Sequence, residues 1–289
     1  MSTPPVLPEQ PAKRFITAGS HRVCYVEGGR PELPKALLLH GWIASHALYR
    51  RVWRELGEMF HFYALDLVGF GDSDKPDPAS VAYDAQFYAE QIRAFADTVG
   101  LTEPFHLIAQ SMGGMAATEF SVRHPQRVKR LVLIDSAGIE VPPPILGIIL
   151  QAPVIGRPLF MALGGTRKTL DDFLKKDVYH QTSVYDPSVV DNMQRILADR
   201  PGKAAAYATL TRMVSPKVYK TFSQRFGDVR VPTSIIWGEK DKLFPLERCG
   251  RTLEGKIPGA RLHVVKESGH EPPVERPEDF IAALRDAVA

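Results

Sequence analysis

The stretch Leu107-Ile108-Ala109-Gln110-Ser111-Met112-Gly113-Gly114 decides the fold, because an apolar run gives way to a helical pattern at a single serine. Ser111 stands between two small residues, Ala109 two positions before it and Gly113 two positions after it. This spacing is typical of a sharp strand-to-helix turn that lifts a serine hydroxyl clear of a sheet. Ala109 replaces the usual first glycine, a departure of one methyl group. The alternative interpretation is that Ser111 caps the helix with its side chain.

Short apolar runs on both sides of this stretch predict the strands of a mostly parallel sheet. Each run is apolar almost throughout, as expected for strands whose two faces are both covered by helices. The runs are 36–40, 61–66, 105–110, 131–135, 233–238 and 261–265. Near the N-terminus, 15–18 and 22–27 flank a Gly-Ser-His turn and predict an antiparallel hairpin.

Helix-length segments alternate with these runs and predict an α/β fold, with a central sheet flanked by helices. The predicted core helices are 46–59, 83–100, 111–124, 246–256 and one from Pro277. The alternation stops between residues 138 and 226, where prolines and three helical patterns (171–179, 188–197 and 203–213) are found. We therefore expect a flexible proline-rich N-terminus over 1–13, a core formed by 14–137 and 227–289, and a helical insertion over 138–226.

A serine hydroxyl becomes a nucleophile only beside a base, and the base needs an orienting acid. Asp241 and His270 each follow a predicted strand, so both should emerge at the same sheet edge as Ser111. The order serine, aspartate, histidine along the chain matches one known triad order. Asp135 also ends a strand and is the alternative acid. A glycine-eased turn before Asp241 and the apolar segment 243–245 after it favour Asp241.

A tetrahedral oxyanion needs two preorganised hydrogen-bond donors. The backbone N–H of Met112, which follows the serine, is one candidate, and the backbone N–H of Trp42 is the other. Gly41 allows the loop before Trp42 to turn inward. The Trp42 ring is expected either to line the acyl pocket or to pack at the surface. His40 is expected to brace the loop rather than to react.

Composition excludes several other classes of protein. The 289 residues are 44% hydrophobic and 24% charged, which is ordinary for a globular chain and sufficient for a large core. The two cysteines, Cys24 and Cys249, cannot form a disulfide framework or a multi-cysteine metal site. A formal net charge of +3 with interspersed signs does not indicate nucleic-acid binding. We expect no metal and no cofactor, because the sequence has no phosphate-loop or His-Glu-x-x-His motif.

The sequence gives no sign of export or of membrane insertion. The most apolar stretch, 145–155, is interrupted by Gly147, Gln151 and Pro153 and is shorter than a bilayer requires. Residues 1–10 lack the basic start and apolar run of a signal peptide. A cytoplasmic protein without stable membrane insertion is therefore the expectation.

These motifs together resemble the α/β-hydrolase family over essentially the whole chain from Arg14. The motifs nearest the N-terminus are similar to those of epoxide hydrolases and haloalkane dehalogenases, two families that place an aspartate at the position of Ser111. Ser111 departs from those families and favours serine hydrolases of the esterase type. Ring-cleavage C–C hydrolases also use serine, but they usually carry a longer glycine-rich oxyanion loop than 42–45. The matching segments are His40-Gly41-Trp42, Asp66-Leu67-Val68-Gly69-Phe70-Gly71-Asp72-Ser73-Asp74-Lys75-Pro76, Ser111-Met112-Gly113-Gly114, Gly238-Glu239-Lys240-Asp241 and Gly269-His270-Glu271-Pro272.

The resemblance implies an α/β-hydrolase fold in which 138–226 forms a helical cap over the site. The apolar first part of that cap, with Ile148 and Leu159, is expected to line a pocket for an acyl or aromatic group. Alternatively, these residues pack the cap on the core or bury a dimer contact. The implied activity is that of a serine carboxylesterase acting through Ser111 on small apolar esters, as a monomer or homodimer. The alternatives are a C–C hydrolase or another acyl-transfer enzyme, and a non-catalytic receptor for a small ligand.

Overall fold

The computed structural model describes residues 11–139, 149–152 and 154–289. The strands of its central sheet are β1 (Lys13–Ala18), β2 (His21–Gly28), β3 (Lys35–Leu39), β4 (His61–Leu65), β5 (Phe105–Gln110), β6 (Val128–Ile134), β7 (Thr233–Gly238) and β8 (Arg261–Val265). They lie in the order β1-β2-β4-β3-β5-β6-β7-β8. The pairs β1–β2 and β2–β4 are antiparallel. Every other neighbouring pair is parallel. The prediction of an α/β fold with a mostly parallel sheet is confirmed.

Helices follow the strands along the chain, and the central strands are buried almost throughout. Those of the first half are α1 (Trp53–Met59), α2 (Ala85–Thr98) and α3 (Met112–Arg123). Between β6 and β7 lie α4 (Gly156–Leu163), α5 (Arg167–Phe173), α6 (Pro187–Ile196), α7 (Arg200–Arg212) and α8 (Pro216–Phe222). The C-terminal helices are α9 (Gly250–Lys256), α10 (Pro272–Glu275) and α11 (Pro277–Val288). In the described part of the chain, none of the helices combines the length and the apolar character needed to cross a membrane.

Three helices between β6 and β7 begin with the same local device. A side-chain oxygen of Asp186, Asp199 or Ser215 accepts a backbone N–H of the first turn, and a proline occupies the first or second helical position. The proline costs nothing there, because the first N–H groups of a helix have no partner within it. These short polar signals set where the helices of this segment begin.

Two predicted helices are interrupted, and these predictions were wrong in detail. The segment 46–59 divides into a 3₁₀ turn, His46–Tyr49, and α1, because the turn is tied down by its own contacts. His46 N–H donates to Asp66 at 2.7 Å, and Tyr49 O–H donates to the Leu39 carbonyl at 2.8 Å. The pattern over 171–179 corresponds to the end of α5 followed by a π-helical turn, Leu174–Val178. The helix predicted over 246–256 begins only at Gly250.

Parallel strands bring the predicted site to one edge of the sheet. β5 ends at Gln110, directly before Ser111, and β7 and β8 end before the Asp241 turn and the His270 loop. The His270 loop lies so close to β7 that a Cβ at Gly238 would stand 1.9 Å from the Gly269 carbonyl oxygen. The strand end and the loop therefore need glycine at this contact.

This contact predicts a strong and local effect on stability. Gly238→Ala should lower the free energy of unfolding by about 3 kcal/mol, because backbone atoms cannot move aside as a flexible side chain can. Urea unfolding followed by circular dichroism measures it. The matched control is Gly255→Ala within α9, where a Cβ meets no atom within 4 Å. That variant should gain roughly 0.5 kcal/mol from the lost flexibility of glycine. Equal stabilities of the two variants would contradict the close approach.

Candidate active site

Ser111 occupies a strained turn between β5 and α3. Its φ of +53° and ψ of −121° lie in a region that residues other than glycine rarely adopt. The side chain makes no capping hydrogen bond, although Ser111 stands at the N-cap position of α3. It is 8% exposed. The interpretation of Ser111 as a helix cap therefore fails, and its hydroxyl is left for another role.

Small residues make this turn possible. A Cβ at Gly113 would lie 2.6 Å from the His40 carbonyl oxygen, and one at Gly114 would lie 2.2 Å from Ser136 Oγ. A Cβ at Gly41 would lie 3.0 Å from the Cβ of Ser111 itself. The turn is thus enclosed by the His40 carbonyl, the Ser136 side chain and the Gly41 backbone, which explains the glycines that follow the serine in the sequence.

His270 and Asp241 form a buried pair at the same edge. His270 Nδ1 lies 2.7 Å from Asp241 Oδ2, while Asp241 Oδ1 accepts the backbone N–H groups of Leu243 at 2.8 Å and Phe244 at 3.0 Å. The Phe244 ring lies 5.3 Å from the imidazole and shields the pair from water. Gln110 Nε2 donates to the His270 carbonyl at 3.0 Å, so the residue before the serine holds the histidine loop.

The pKa of His270 is raised above its usual value of 6.5. Burial acts against the imidazolium, but the charge of Asp241 and its hydrogen bond outweigh that effect. Because a carboxylate only accepts, the shared proton resides on Nδ1 and the lone pair on Nε2. The imidazole is therefore oriented as a general base.

The alternative acid, Asp135, has a different role in the structure. It follows β6 and is fully buried, and its Oδ1 accepts the Gly238 backbone N–H at 2.9 Å. The imidazole Nδ1 is paired with Asp241 instead. The geometry therefore favours Asp241 as the partner of the histidine, as the sequence suggested.

The loop after β3 lies against the serine turn. His40 is buried and neutral, because burial lowers its pKa to about 4. Its Nδ1 lies 2.7 Å from the Gly41 carbonyl, and its Nε2 accepts the Leu67 N–H at 3.0 Å, so it braces the loop. Within the residues that the structure describes, the backbone N–H groups of Trp42 and Met112 have no hydrogen-bond acceptor. Both are therefore available to an oxyanion.

An aromatic group from the segment between β6 and β7 meets this loop. The Trp42 indole N–H donates to the Ala206 carbonyl at 3.0 Å, and its ring centroid lies 6.2 Å from that of Phe160. Phe160 in turn lies 5.6 Å from Tyr207. The predicted pocket residue Leu159 is only half-buried beside Phe160, and Ile148 lies outside the described residues. Leu159 and Ile148 stay predictions. Phe160 belongs to the same apolar part of the predicted cap, but nothing in the sequence singles it out from its apolar neighbours.

The histidine loop is also held by the π-helical turn that follows α5. The His270 N–H donates to the Val178 carbonyl at 2.9 Å, and the Tyr179 hydroxyl donates to Glu271 at 2.9 Å. Glu275 Oε2 accepts the backbone N–H groups of His180 at 2.8 Å and Gln181 at 3.1 Å. The only sequence signal for this contact is the pair of glutamates that follows His270.

Two buried groups in the described residues combine donor atoms of the kinds that bind metals. One is Asp135, Asp241 and His270, and the other is Cys24, His46 and Asp66. In the second group, Asp66 already accepts the backbone N–H of Asp72 at 2.8 Å as well as His46. Burial and the nearby Asp66 raise the pKa of Cys24 to about 12, so it remains a thiol rather than a thiolate ligand. This group anchors the loop after β4.

The comparisons with known proteins agree with this geometry. The model of a family described as "Alpha/beta hydrolase family" matches residues 36–284. Lipase 1 of Psychrobacter immobilis is 27% identical over 268 residues, which cover 91% of this chain and 79% of the lipase. A 2-hydroxy-6-oxononadienedioate/2-hydroxy-6-oxononatrienedioate hydrolase of Paraburkholderia phymatum is 28% identical, covering 82% of this chain and 80% of that protein.

A solved structure extends the likeness to the whole fold. Cfl2 of Burkholderia cenocepacia superposes with a TM-score of 0.83 at 26% identity, covering 99% of this chain and 100% of Cfl2. The family match spans the serine turn, the aspartate and the histidine that the sheet brings to one edge. The resemblance inferred from the sequence is therefore confirmed, and the chain belongs to the alpha/beta hydrolase family.

Proposed function

We propose that this protein is a serine hydrolase that cleaves carboxylic esters with apolar acyl or aromatic groups, through an acyl-enzyme intermediate. The observation that carries this proposal is the uncapped Ser111 on its strained turn, beside the buried His270–Asp241 pair. Gln110 connects the two, since it precedes the serine and donates to the His270 carbonyl. The similarity to Lipase 1 of Psychrobacter immobilis further supports ester hydrolysis as the reaction.

The proposed reaction begins at His270. Its Nε2 removes the proton of Ser111 as the hydroxyl oxygen attacks the ester carbonyl, and Asp241 stabilises the imidazolium that forms. The N–H groups of Trp42 and Met112 hold the oxyanion of the tetrahedral intermediate. The imidazolium then protonates the leaving alcohol. In the second half, Nε2 activates a water molecule, which releases the acid and restores the serine hydroxyl.

The aromatic group beside the oxyanion loop supports the proposed preference for apolar substrates. A chain of ring contacts joins Trp42, Phe160 and Tyr207. Trp42 directly follows Gly41, where an added Cβ would lie 3.0 Å from the Cβ of Ser111. Phe160 lies in the segment that we propose as the cap, 138–226. A chain of rings at this place provides an apolar wall for an acyl or aromatic group.

A second candidate is the hydrolysis of a carbon–carbon bond. The specific observation in its favour is the Paraburkholderia phymatum relative, a 2-hydroxy-6-oxononadienedioate/2-hydroxy-6-oxononatrienedioate hydrolase. The same serine, histidine and oxyanion donors serve both reactions, so the substrate test must include both. A panel of p-nitrophenyl esters beside a vinylogous diketone distinguishes them. Tight binding of such compounds without turnover would instead favour a receptor.

The first test of the proposal is removal of the nucleophile. Ser111→Ala should fold normally and lose roughly three to six orders of magnitude in kcat for p-nitrophenyl esters, as in other triads. A fluorophosphonate should label Ser111 in the wild type, and mass spectrometry of the digest locates the label. Unchanged turnover in the variant, or labelling only at another residue, would overturn the assignment.

The second test separates the two carboxylates near His270. Asp241→Asn should cut kcat by about four orders of magnitude, because the neutral amide favours the wrong histidine tautomer. Asp135→Asn should cost far less, since Asp135 binds the Gly238 backbone rather than the imidazole. Steady-state kinetics of the two folded variants decide between them. The reverse ranking would move the acid to Asp135 and leave Ser111 and His270 in place.

The third test concerns the apolar wall. Hexanoate should exceed acetate in kcat/KM by about tenfold or more for each well-buried pair of methylenes. Phe160→Ala should reduce that preference about tenfold and leave the acetate rate within about threefold. Leu159→Ala, on the same helix, is the matched comparison. An effect confined to Leu159 would place the pocket wall there, whereas equal losses on both esters would indicate a damaged cap.

A further inference from the structure

We propose that Asp135 is a positioning residue, a neutral carboxylic acid whose O–H donates a hydrogen bond to Asp241 and holds that carboxylate against His270. The inference rests on the proposed function in one respect, since it takes Asp241 as the acid that orients the base. In this role Asp135 supports the proposed triad acid, Asp241, and does not replace it. The proton remains on Asp135 throughout, so no proton transfer is added to the reaction.

The position of Asp135 carries the argument. Its backbone adopts a φ of +41°, which is rare for a residue other than glycine, directly after β6. Its side chain is fully buried, and Oδ1 is fixed by the Gly238 N–H at 2.9 Å. Three side-chain atoms, a carboxylate oxygen each from Asp135 and Asp241 and a ring nitrogen of His270, lie within 4.8 Å of one another. Asp135 therefore directs its carboxyl group into the buried pair.

The second oxygen of this carboxyl group shows what its charge must be. Oδ2 is buried, and no donor faces it in the described part of the chain. An ionised Asp135 would leave this oxygen unsatisfied beside a second buried carboxylate, at a cost of several kcal/mol. A protonated Oδ2 instead becomes a donor, and Asp241 is the acceptor within reach. One proton thus satisfies both oxygens and removes the repulsion.

The surrounding charges act in the same direction. Burial, and then the charge of Asp241, raise the pKa of Asp135 well above its usual value, and Glu275 contributes as well. The other titratable groups that interact with this pair are Glu271, which acts on His270, and the Cys249 thiol, which lies near Asp241. Asp241 is paired with the His270 imidazole, and the described residues offer no hydrogen-bond donor to the buried Oδ2 of Asp135. One cation cannot compensate two buried anions, so one carboxyl group stays neutral.

The consequence for the site is a fourth hydrogen-bond donor to Asp241. Its Oδ1 already accepts two backbone N–H groups, from Leu243 and Phe244, and its Oδ2 accepts His270. A donated O–H from Asp135 limits the rotation of the carboxylate and spreads part of its charge away from the imidazole. Asp135 thereby sets both the orientation of Asp241 and the basicity of His270.

The sign of a pKa change at His270 tests this inference. Asp135→Asn keeps a donor, because its Nδ2–H can face Asp241 while its Oδ1 accepts from Gly238. The pKa of His270, measured by NMR of the imidazole in the Ser111→Ala background, should therefore equal that of the Ser111→Ala protein with Asp135 in place. Asp135→Leu removes the donor and leaves the full charge of Asp241 beside the imidazole, so that pKa should rise. If Asp135 were ionised, both variants would remove a negative charge and lower the pKa of His270.

Turnover and infrared spectroscopy complete the test. With Ser111 present, Asp135→Leu should lower kcat about tenfold, the loss of one hydrogen bond to a charged group, and Asp135→Asn should recover most of it. Difference infrared spectra should show a protonated carboxyl band that disappears in Asp135→Asn. Glu275→Gln is the matched control and should retain that band.

The outcomes separate this inference from the proposed function. A fall in the His270 pKa in Asp135→Asn, or no loss of a protonated carboxyl band, would overturn the role of Asp135. Neither readout depends on turnover, because the NMR titration uses a variant without the nucleophile. Failure of the wild type to cleave any ester would overturn the proposed function alone.

Discussion

The strained backbone at Ser111 is the constraint on which the rest of the site depends. A positive φ at a residue with a side chain costs of the order of 1–3 kcal/mol and persists only where the surroundings enforce it. Here the surroundings are the β5 strand, the start of α3 and the loop that carries Gly41, which approach so closely that added Cβ atoms would collide. The Gly41 loop precedes Trp42 and α3 begins at Met112, so the same crowding positions the two backbone N–H groups that we propose as oxyanion donors. Strain and chemistry thus have one cause, the close approach of backbone at the sheet edge.

Burial of charge is the second requirement, and the histidine pair meets it. An imidazole and a carboxylate taken out of water remain favourable only when each is fully hydrogen-bonded. Asp241 satisfies this condition with His270 and two backbone N–H groups. The result is a base whose pKa is raised by its partner in spite of burial. Asp135 is buried beside this pair, its Oδ2 faces no donor in the described residues, and the neutral state that we propose for it meets the same requirement.

The segment between β6 and β7 is hydrogen-bonded to the His270 loop rather than merely placed beside it. The π-helical turn offers the Val178 carbonyl to the His270 N–H, and Glu275 binds the two residues that follow Tyr179. A π turn leaves backbone groups free for such contacts and is often found at functional sites. Changes in this segment therefore act on the position of His270 as well as on the proposed pocket.

Local patterns and spacing along the chain are enough to predict the alternation of strands and helices, the serine turn, and the aspartate and histidine that follow later strands. The N-caps at Asp186, Asp199 and Ser215 belong to the same class of signal. The folded chain was needed to show that Asp241 rather than Asp135 meets His270, that Phe160 meets Trp42, and that the helix after Asp171 ends in a π turn. These are contacts between segments far apart in the chain. Their choice depends on which backbones approach each other across the sheet edge, and no local pattern of residues encodes that distance.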